Sequence, residues 1–370
     1  MKQYKLLSCL LVLAVAVVCF LTLPTQAQAA NTDDLYFVLS NDKESYSVTG
    51  CKYSASGELV IPAIYNGKPV TQICNIAFRN CDSLTSVSIP DSVSSIGECA
   101  FQFCDNLTSV NIPYNVTEIH SAAFEECTSL TSITIPDSVT TIGDYAFFNC
   151  TSLTSITIPE SVTTIGSSAF RNCTNLTGIW VDENNLNYCS DNKGILFNKD
   201  KTLLLQAPGT ISGDYAVPDS TITIGANAFM NCTRLTSVII PDSVTTIGLQ
   251  AFRNCTALTA FYYTGTQEQW SAITIGSSND SLTSATIIYN YTGTPEDITQ
   301  IPGDIDGNEV VDQEDAVYLL LHTLFGEEIY PLGDVDADID GNGAVNQEDA
   351  VYLLLHTLFG DAIYPLKKGA

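Results

Sequence analysis

The residues best spaced for chemistry lie in two twelve-residue stretches near the C-terminus, DIDGNEVVDQED (304–315) and DIDGNGAVNQED (338–349). Counted from the first aspartate, side-chain oxygens recur at positions 1, 3, 5, 9 and 12. They belong to Asp304, Asp306, Asn308, Asp312 and Asp315 in one loop, and to Asp338, Asp340, Asn342, Asn346 and Asp349 in the other. Position 7 adds a backbone carbonyl, from Val310 and Ala344. Oxygen donors in this order suit a hard cation, and Ca²⁺ takes roughly six to eight of them. Two Ca²⁺ sites are expected. The sharp turn at position 6 calls for glycine; Gly343 supplies it, whereas Glu309 stands there in the first loop, so the first site is expected to bind more weakly.

Each loop runs into the same fourteen residues, QEDAVYLLLHTLFG, at 313–326 and 347–360. Between Ala316 and Phe325 only His322 and Thr323 interrupt the apolar run. A helix with one buried side needs apolar residues only at every third or fourth position, so each of these helices has a second face to cover. Loop plus one helix, given twice and echoed by IYPL at 329–332 and 363–366, resembles the type I dockerin module of cellulosomal proteins, in the style of ruminococcal anaerobes. The resemblance implies a small all-α calcium-binding module over 303–367 that docks on a cohesin domain of a scaffoldin. It also implies that Gln313, Glu314 and Tyr318, with their counterparts Gln347, Glu348 and Tyr352, contribute to cohesin binding. Two identical helices would then be able to exchange places by a half-turn. His322 and His356 read as partner-facing or solvated rather than as metal ligands.

Upstream, a 23-residue period dominates: AFEECTSLTSITIPDSVTTIGDY (123–145) is followed at once by AFFNCTSLTSITIPESVTTIGSS (146–168). Phenylalanine recurs at 78, 101, 124, 147, 170, 229 and 252, and every step is 23 except one of 59. Within a unit, L-T-S-I-T-I-P alternates as a short half-buried strand does, with Leu130, Ile133 and Ile135 inward and Ser132 and Thr134 outward. Proline ends the strand because it cannot donate to a ladder. I-G marks a turn, and A-F-x-x-C is expected to form a single helical or 3₁₀ turn. No 23-residue unit can bury its own face, so the units must stack into a solenoid with a parallel sheet on one side.

The repeat resembles the BspA-like bacterial leucine-rich repeats, whose hallmark is I-G-x-x-A-F-x-x-C-x-x-L-x-x-I-x-I-P; Cys74 and His120 replace the glycine in two units. The expected fold is thus a mainly β solenoid followed by the all-α module. Its parts are a signal peptide (1–29), an N-terminal β cap (31–64), repeats (65–260), a C-terminal cap (261–291), a linker (292–302) and the dockerin-like segment. The repeats carry a 36-residue insertion around 178–213, which resembles the hairpin that often interrupts this family.

Outward strand positions form two rows. One is Ser86, Ser109, Ser132, Ser155, Gly178, Ser237 and Ala260; the other is Ser88, Asn111, Thr134, Thr157, Trp180, Ile239 and Tyr262. Such a surface serves either as an inert soluble face or as a recognition face anchored by Trp180, Ile239 and Tyr262, since aromatic residues are enriched at binding hot spots. The family's general association with adhesion and protein binding favours the second reading. The cysteines at 81, 104, 127, 150, 173, 232 and 255 share one place in the repeat and read as free, buried thiols packed as small hydrophobes, although stacking brings their sulfurs close together.

Catalysis finds little support. No G-x-S-x-G or H-E-x-x-H occurs, and only His120 of the three histidines lies outside the repeated fourteen-mers. Paired carboxylates in a cleft would be needed for glycoside hydrolysis, but Asp91, Asp137, Glu160 and Asp242 recur at one turn position. Asp182 and Glu183 in the insertion are the remaining candidates. A formal net charge of −27 argues against nucleic acid as a partner. The first residues, two lysines and an apolar stretch ending in A-Q-A at 27–29, read as a cleaved secretory signal. The alternative is an uncleaved anchor; with cleavage, the mature chain has no membrane span. Together these features predict a secreted, extracellular, non-catalytic protein of an anaerobic bacterium, associated with a cell-surface cellulosome, whose solenoid binds an unknown protein or glycan. Alternatives are a polysaccharide-degrading subunit and a purely structural or regulatory one.

Overall fold

A strand of three to five residues is held mainly by its neighbours' hydrogen bonds. In the computed structural model, which describes residues 30–292 together with 350, 351, 353 and 354, each unit finds such a neighbour one repeat away. Parallel pairing joins Leu84–Ser88 to Gly57–Val60 and Ser109–Val110, and Ile156–Ile158 to Ile179–Val181. Further along, Arg234–Ile240 pairs with Ser212–Ala216 and Ala260–Tyr263. Through 130–135 the ladder thins to single bonds: Thr131 N–H donates to the Thr108 carbonyl and Thr154 N–H to the Thr131 carbonyl, both at 3.3 Å. Leu130, Ile133 and Ile135 are buried, and Ser132 and Thr134 are exposed, as the alternation predicts.

The residue pair that ends in the isoleucine of I-G, or of its equivalent, forms a second parallel ladder, running from Lys68–Ile73 through Ser95–Ile96, Glu118–Ile119 and Thr141–Ile142 to Thr164–Ile165. The glycine that follows lets the rungs close up. A Cβ on Gly143 would lie 2.6 Å from the Ser121 nitrogen of the preceding rung.

The A-F-x-x-C stretch is not the helical or 3₁₀ turn expected of it. The residues two before and two after each phenylalanine take left-handed backbone, with φ of 56° at Ile76 and 61° at Asn80, then 53° at Cys99 and 59° at Phe103. This change of hand directs alternate N–H groups out of the segment. Ile76, Phe78 and Asn80 donate to the carbonyls of Glu98, Ala100 and Gln102 in the next rung at 2.9, 2.7 and 2.9 Å. The N–H groups between them close four-residue turns, as Arg79 does on Ile76 at 3.2 Å. A helix would have spent all of these bonds internally. The segment is a third inter-rung ladder.

Inside the ladders the phenylalanines stack face to face. Phe78, Phe101, Phe124, Phe147 and Phe170 follow one another at 5.1, 5.4, 5.6 and 5.7 Å between ring centroids, with interplanar angles of 4–12°. The stack stops at Phe170 and resumes with Phe229 and Phe252, 5.1 Å apart. The core divides at the same place, one cluster including Ile179 and Leu196 and the other starting with Ile195 and Phe197.

The insertion accounts for that division, and it is more than a hairpin. Tyr188–Ser190 and Leu196–Asn198 do pair antiparallel, and the latter pairs antiparallel with Leu203–Gln206. Leu203–Gln206 then pairs in parallel with Thr223–Ile224, and Ser212–Ala216, where the insertion ends, pairs with Arg234–Ile240, so the insertion and the residues just after it contribute a strand to each of the two β ladders. Buried Tyr215 packs its ring 5.8 Å from Phe229, beside the gap in the phenylalanine stack, and donates its hydroxyl to Asp191 at 2.8 Å. Asn185, fully buried, fixes the insertion to the preceding rung. Its Nδ2 donates to the Pro159 and Val162 carbonyls at 2.8 and 2.9 Å, and its Oδ1 accepts from the Asn187 and Tyr188 N–H groups, both at 2.9 Å.

At the N-terminal end Leu35–Leu39 pairs antiparallel with Tyr46–Cys51, which joins the second ladder through Lys68–Ile73. At the other end two short helices, Gln267–Ser271 and Asp280–Ser284, cover the last rung with buried Trp270 and Leu282. Ala350, Val351, Leu353 and Leu354 are helical; Ala350 and Leu353 are buried, while Val351 and Leu354 are exposed. The expected signal peptide, the linker beyond 292, both acidic loops and the remainder of the fourteen-mers lie outside the described residues.

Candidate binding surface

The outward rows of the first ladder divide into two parts. In the N-terminal part they are as expected. Ser109, Ser132, Ser155, Ser88, Asn111, Thr134 and Thr157 are exposed and Ser86 is half-buried, giving a surface of short hydroxyls and one amide. Each exposed residue stands one repeat from its equivalent, with Ser86 opposite Ser109 and Thr157 opposite Trp180 in register.

The change comes at Trp180, which is 40% exposed. Its indole lies over Gly178, where a Cβ would fall 2.4 Å from the ring. Glycine in place of the usual serine is therefore what allows the ring to lie along the face. On the far side of Gly178 the chain returns through Gly194, whose carbonyl accepts the Ile179 N–H at 2.9 Å.

Beyond the insertion the outward positions are mostly covered, which corrects the expected three-residue anchor. Ile239 is only 6% exposed and presents no apolar surface; Ser237 and Ala260 are buried too. Tyr262 is half-buried, with its ring 4.8 Å from that of Tyr291. Burial, and after it the charge of Asp214, raises the Tyr262 phenol above its ordinary range. No sequence pattern marks Asp214 as a surface residue of this face. It accepts hydroxyl hydrogens from Thr236 and Ser237 at 2.8 and 2.7 Å. Its outward position becomes evident only once Ser212–Ala216 is known to be a ladder strand, in register with Ser237 and Ile239. The apolar part of the face thus consists of Trp180 and the exposed part of Tyr262, with Ser212–Ala216 and Arg234–Ile240 between them along the stack.

A second concavity opens at the insertion, between the turn ladders of the rungs before and after it. It has a volume of about 370 Å³ and is lined by Ile165, Ser168, Phe170, Leu196, Leu205 and Asn227, among others. Asn227 is 8% exposed; its Nδ2 donates to Ser168 Oγ at 3.4 Å, and its Oδ1 has no hydrogen-bond partner.

The carboxylates considered for hydrolysis have other surroundings. Asp91, Asp137, Glu160 and Asp242 are exposed at their recurrent turn, and Asp182 caps its own turn by accepting the Asn184 N–H at 2.9 Å. His120 lies 3.3 Å from Glu118 on the surface. Among the described residues no group of three or more His, Cys, Asp or Glu side chains is arranged to hold a metal ion, and no helix is long and apolar enough to cross a membrane.

The chain is similar to several solved structures, three of which follow. A T. pallidum leucine-rich repeat protein is 25% identical, with 62% of this chain and 91% of that one covered and a TM-score of 0.42. A leucine-rich repeat protein from Bacteroides ovatus is 23% identical, covering 71% and 79%, with a TM-score of 0.46. The pneumococcal vaccine antigen PcpA is 18% identical, covering 75% and 90%, with a TM-score of 0.48. No curated protein matches the chain. The family profile described as the BspA type leucine-rich repeat region matches in six copies over residues 70–192 and 213–296, and with the 23-residue rungs and three ladders seen here the chain belongs to that family.

Proposed function

We propose that this is a secreted, non-catalytic, cellulosome-associated protein whose solenoid captures a protein or glycan while a C-terminal dockerin module fastens it to a scaffoldin cohesin. The observation that carries the recognition role is the polar outward face ending in Trp180 laid over Gly178. Short hydroxyls give adaptable hydrogen bonding, and a rigid aromatic beside them gives contact area at low entropic cost. The same pairing of residue types is found in antibody loops.

The dockerin reading rests on the doubled acidic loop with its identical downstream fourteen-mer, and on Ala350 and Leu353, one helical turn apart, both being buried just after Asp349. The donor set is all oxygen, as Ca²⁺ prefers. Asp304, Asp306, Asn308, Val310, Asp312 and Asp315 would hold one ion, and Asp338, Asp340, Asn342, Ala344, Asn346 and Asp349 the other. The bound ions would supply folding free energy to a core too small to be stable alone. Gln313, Glu314, Tyr318, Gln347, Glu348 and Tyr352 are the proposed cohesin contacts.

Calorimetry of the full chain against cohesins of the same organism, with Ca²⁺ and then with EDTA, tests the docking half. Tight binding abolished by EDTA is expected; Ca²⁺ uptake with no cohesin binding would remove the cellulosome assignment. For the solenoid, the full chain and a Trp180→Ala, Tyr262→Ala variant are compared on a glycan array and against extracellular proteins. Signals lost in the variant are expected, and undiminished capture would end the anchor role.

A further inference from the structure

Two members of the cysteine ladder depart from its pattern: Cys232 donates to the Pro208 carbonyl at 3.8 Å, and Cys81 faces another sulfur. Cys104, Cys127, Cys150, Cys173 and Cys255 each donate S–H to the carbonyl of the preceding rung's phenylalanine, namely Phe78, Phe101, Phe124, Phe147 and Phe229, at 3.0–3.1 Å. All five are buried. Cys81 opens the series, and the rung before it belongs to the N-terminal cap, which has no such phenylalanine. Its sulfur faces Cys51 Sγ instead, 2.9 Å away. Both residues are half-buried rather than sealed.

Neither sulfur reaches that position on a loose segment. Cys51 ends the strand Tyr46–Cys51, opposite Leu35 in the antiparallel pair. Cys81 is fixed by its N–H on the Phe78 carbonyl and by the Leu84 N–H on its own carbonyl, both at 3.1 Å. A disulfide requires the sulfurs to approach to about 2.05 Å, so closure here takes less than an ångström of movement. The hydrogen bond between the two sulfurs holds the Cys51 thiol below its ordinary range, while the same bond and then burial hold Cys81 above its own. Cys51 is therefore the better nucleophile of the two.

We infer that Cys51 and Cys81 are a disulfide-forming pair that staples the N-terminal cap to the first full rung, oxidised by exchange with a low-molecular-weight disulfide. The Cys51 thiolate attacks one sulfur of the small disulfide RSSR, forming a mixed disulfide and expelling RS⁻. Cys81 gives up its proton and attacks the Cys51 sulfur, expelling the second RS⁻. The two thiol protons end on two RSH, and two electrons pass from the protein sulfurs to the small disulfide. The staple closes a loop of 30 residues at an end of the stack, where a solenoid has a neighbour on one side only.

The test equilibrates the full reduced chain with oxidised glutathione, then blocks residual thiols under denaturing conditions and maps the non-reduced peptides. The expected result is a Cys51–Cys81 cross-linked peptide, a mass lower by two hydrogens, a thiol count lower by two, and a melting temperature several degrees above that of the reduced chain. Cys51→Ser and Cys81→Ser variants, checked for folding by circular dichroism, should form no cross-link and lose the oxidative rise in melting temperature, with Cys51 of the Cys81→Ser variant stopping at the glutathione adduct. Recovery of both cysteines as free thiols, as glutathione adducts without the cross-link, or in bridges between two chains overturns the inference. Mapping the wild-type chain decides the matter even where a variant fails to fold.

Discussion

At the scale of single residues, backbone hand matters as much as side-chain type. Ile76 has φ of 56° although it is β-branched, and its side chain is 58% exposed. Left-handed backbone costs an L-residue about 1–2 kcal/mol, and asparagine tolerates it better. Ile76→Asn should therefore stabilise the protein by about 1 kcal/mol, seen as a higher midpoint in urea at unchanged slope. A second prediction concerns the sealed thiols. Burial pushes Cys104, Cys173 and Cys255 up to about 12, from an ordinary value of 9.0. The folded state therefore favours the neutral thiol, and this contribution is complete below pH 9 and is lost as the pH rises toward 12. Thermal melts across that window, followed together with thiolate absorbance, should show thiolate appearing only as the chain unfolds; thiolate formed in the still-folded chain would contradict the burial.

The scale of elements separates what the sequence could reveal from what it could not. The strand L-T-S-I-T-I-P and the column of phenylalanines were legible because period-2 alternation and a spacing of 23, broken once at the insertion, recur from unit to unit. The turn ladder was misread because hydrophobic spacing carries no information about the sign of φ. The signal that was present is asparagine two residues after the phenylalanine, at Asn80, Asn149, Asn172, Asn231 and Asn254, every one with φ near 60°. The extra ladder strands in and just after the insertion were hidden because Ser212–Ala216 lacks the repeat's signature and becomes a rung strand only by pairing. That also explains why Ile239 was expected on the surface and Asp214 went unnoticed. Asn185 was invisible for a similar reason: one amide satisfied by two carbonyls and two N–H groups has no pattern along the chain. Its replacement by alanine leaves those four partners buried or part-buried without it. Asn185→Ala should cost about 3 kcal/mol, since each buried orphaned group carries about 1–3, and hydrogen exchange should rise first in 185–199.

At the scale of the whole molecule, the break in the core at the insertion sets how the solenoid unfolds. Repeat stacks are stabilised by nearest-neighbour interfaces, and the interface at the insertion is bridged by few side-chain bonds, among them Asn231 to Asn172 at 2.7 Å and Tyr215 to Asp191. Phe124→Ala, deep in the first cluster, should cost about 3–5 kcal/mol and should lower exchange protection in 48–179 more than in 195–282. Equal loss on both sides would mean that the two clusters melt as one. On the proposed calcium reading, Glu309→Gly supplies the glycine that the sixth loop position calls for and should tighten Ca²⁺ binding at the first loop alone; equal affinities in calcium titrations of the two chains would exclude strain as the cause.

The in-register rungs also make the stack a ruler. Phe124 to Ala146 is one 23-residue period, and its removal joins Ala123 directly to Phe147, restoring the same A-F sequence between rungs whose mating surfaces are equivalent. The backbone bonds of the three ladders suit the new neighbour as they do the old; what is lost is side-chain pairing such as Gln102 with Glu125 and Asn149 with Glu126. The distance between the N-terminal cap and Trp180 is thereby quantised in steps of about 4.8 Å, the spacing of adjacent strands. How far the exposed indole stands from the tip of the molecule can change by whole rungs, through gain or loss of one repeat, while the surroundings of Trp180 itself stay the same.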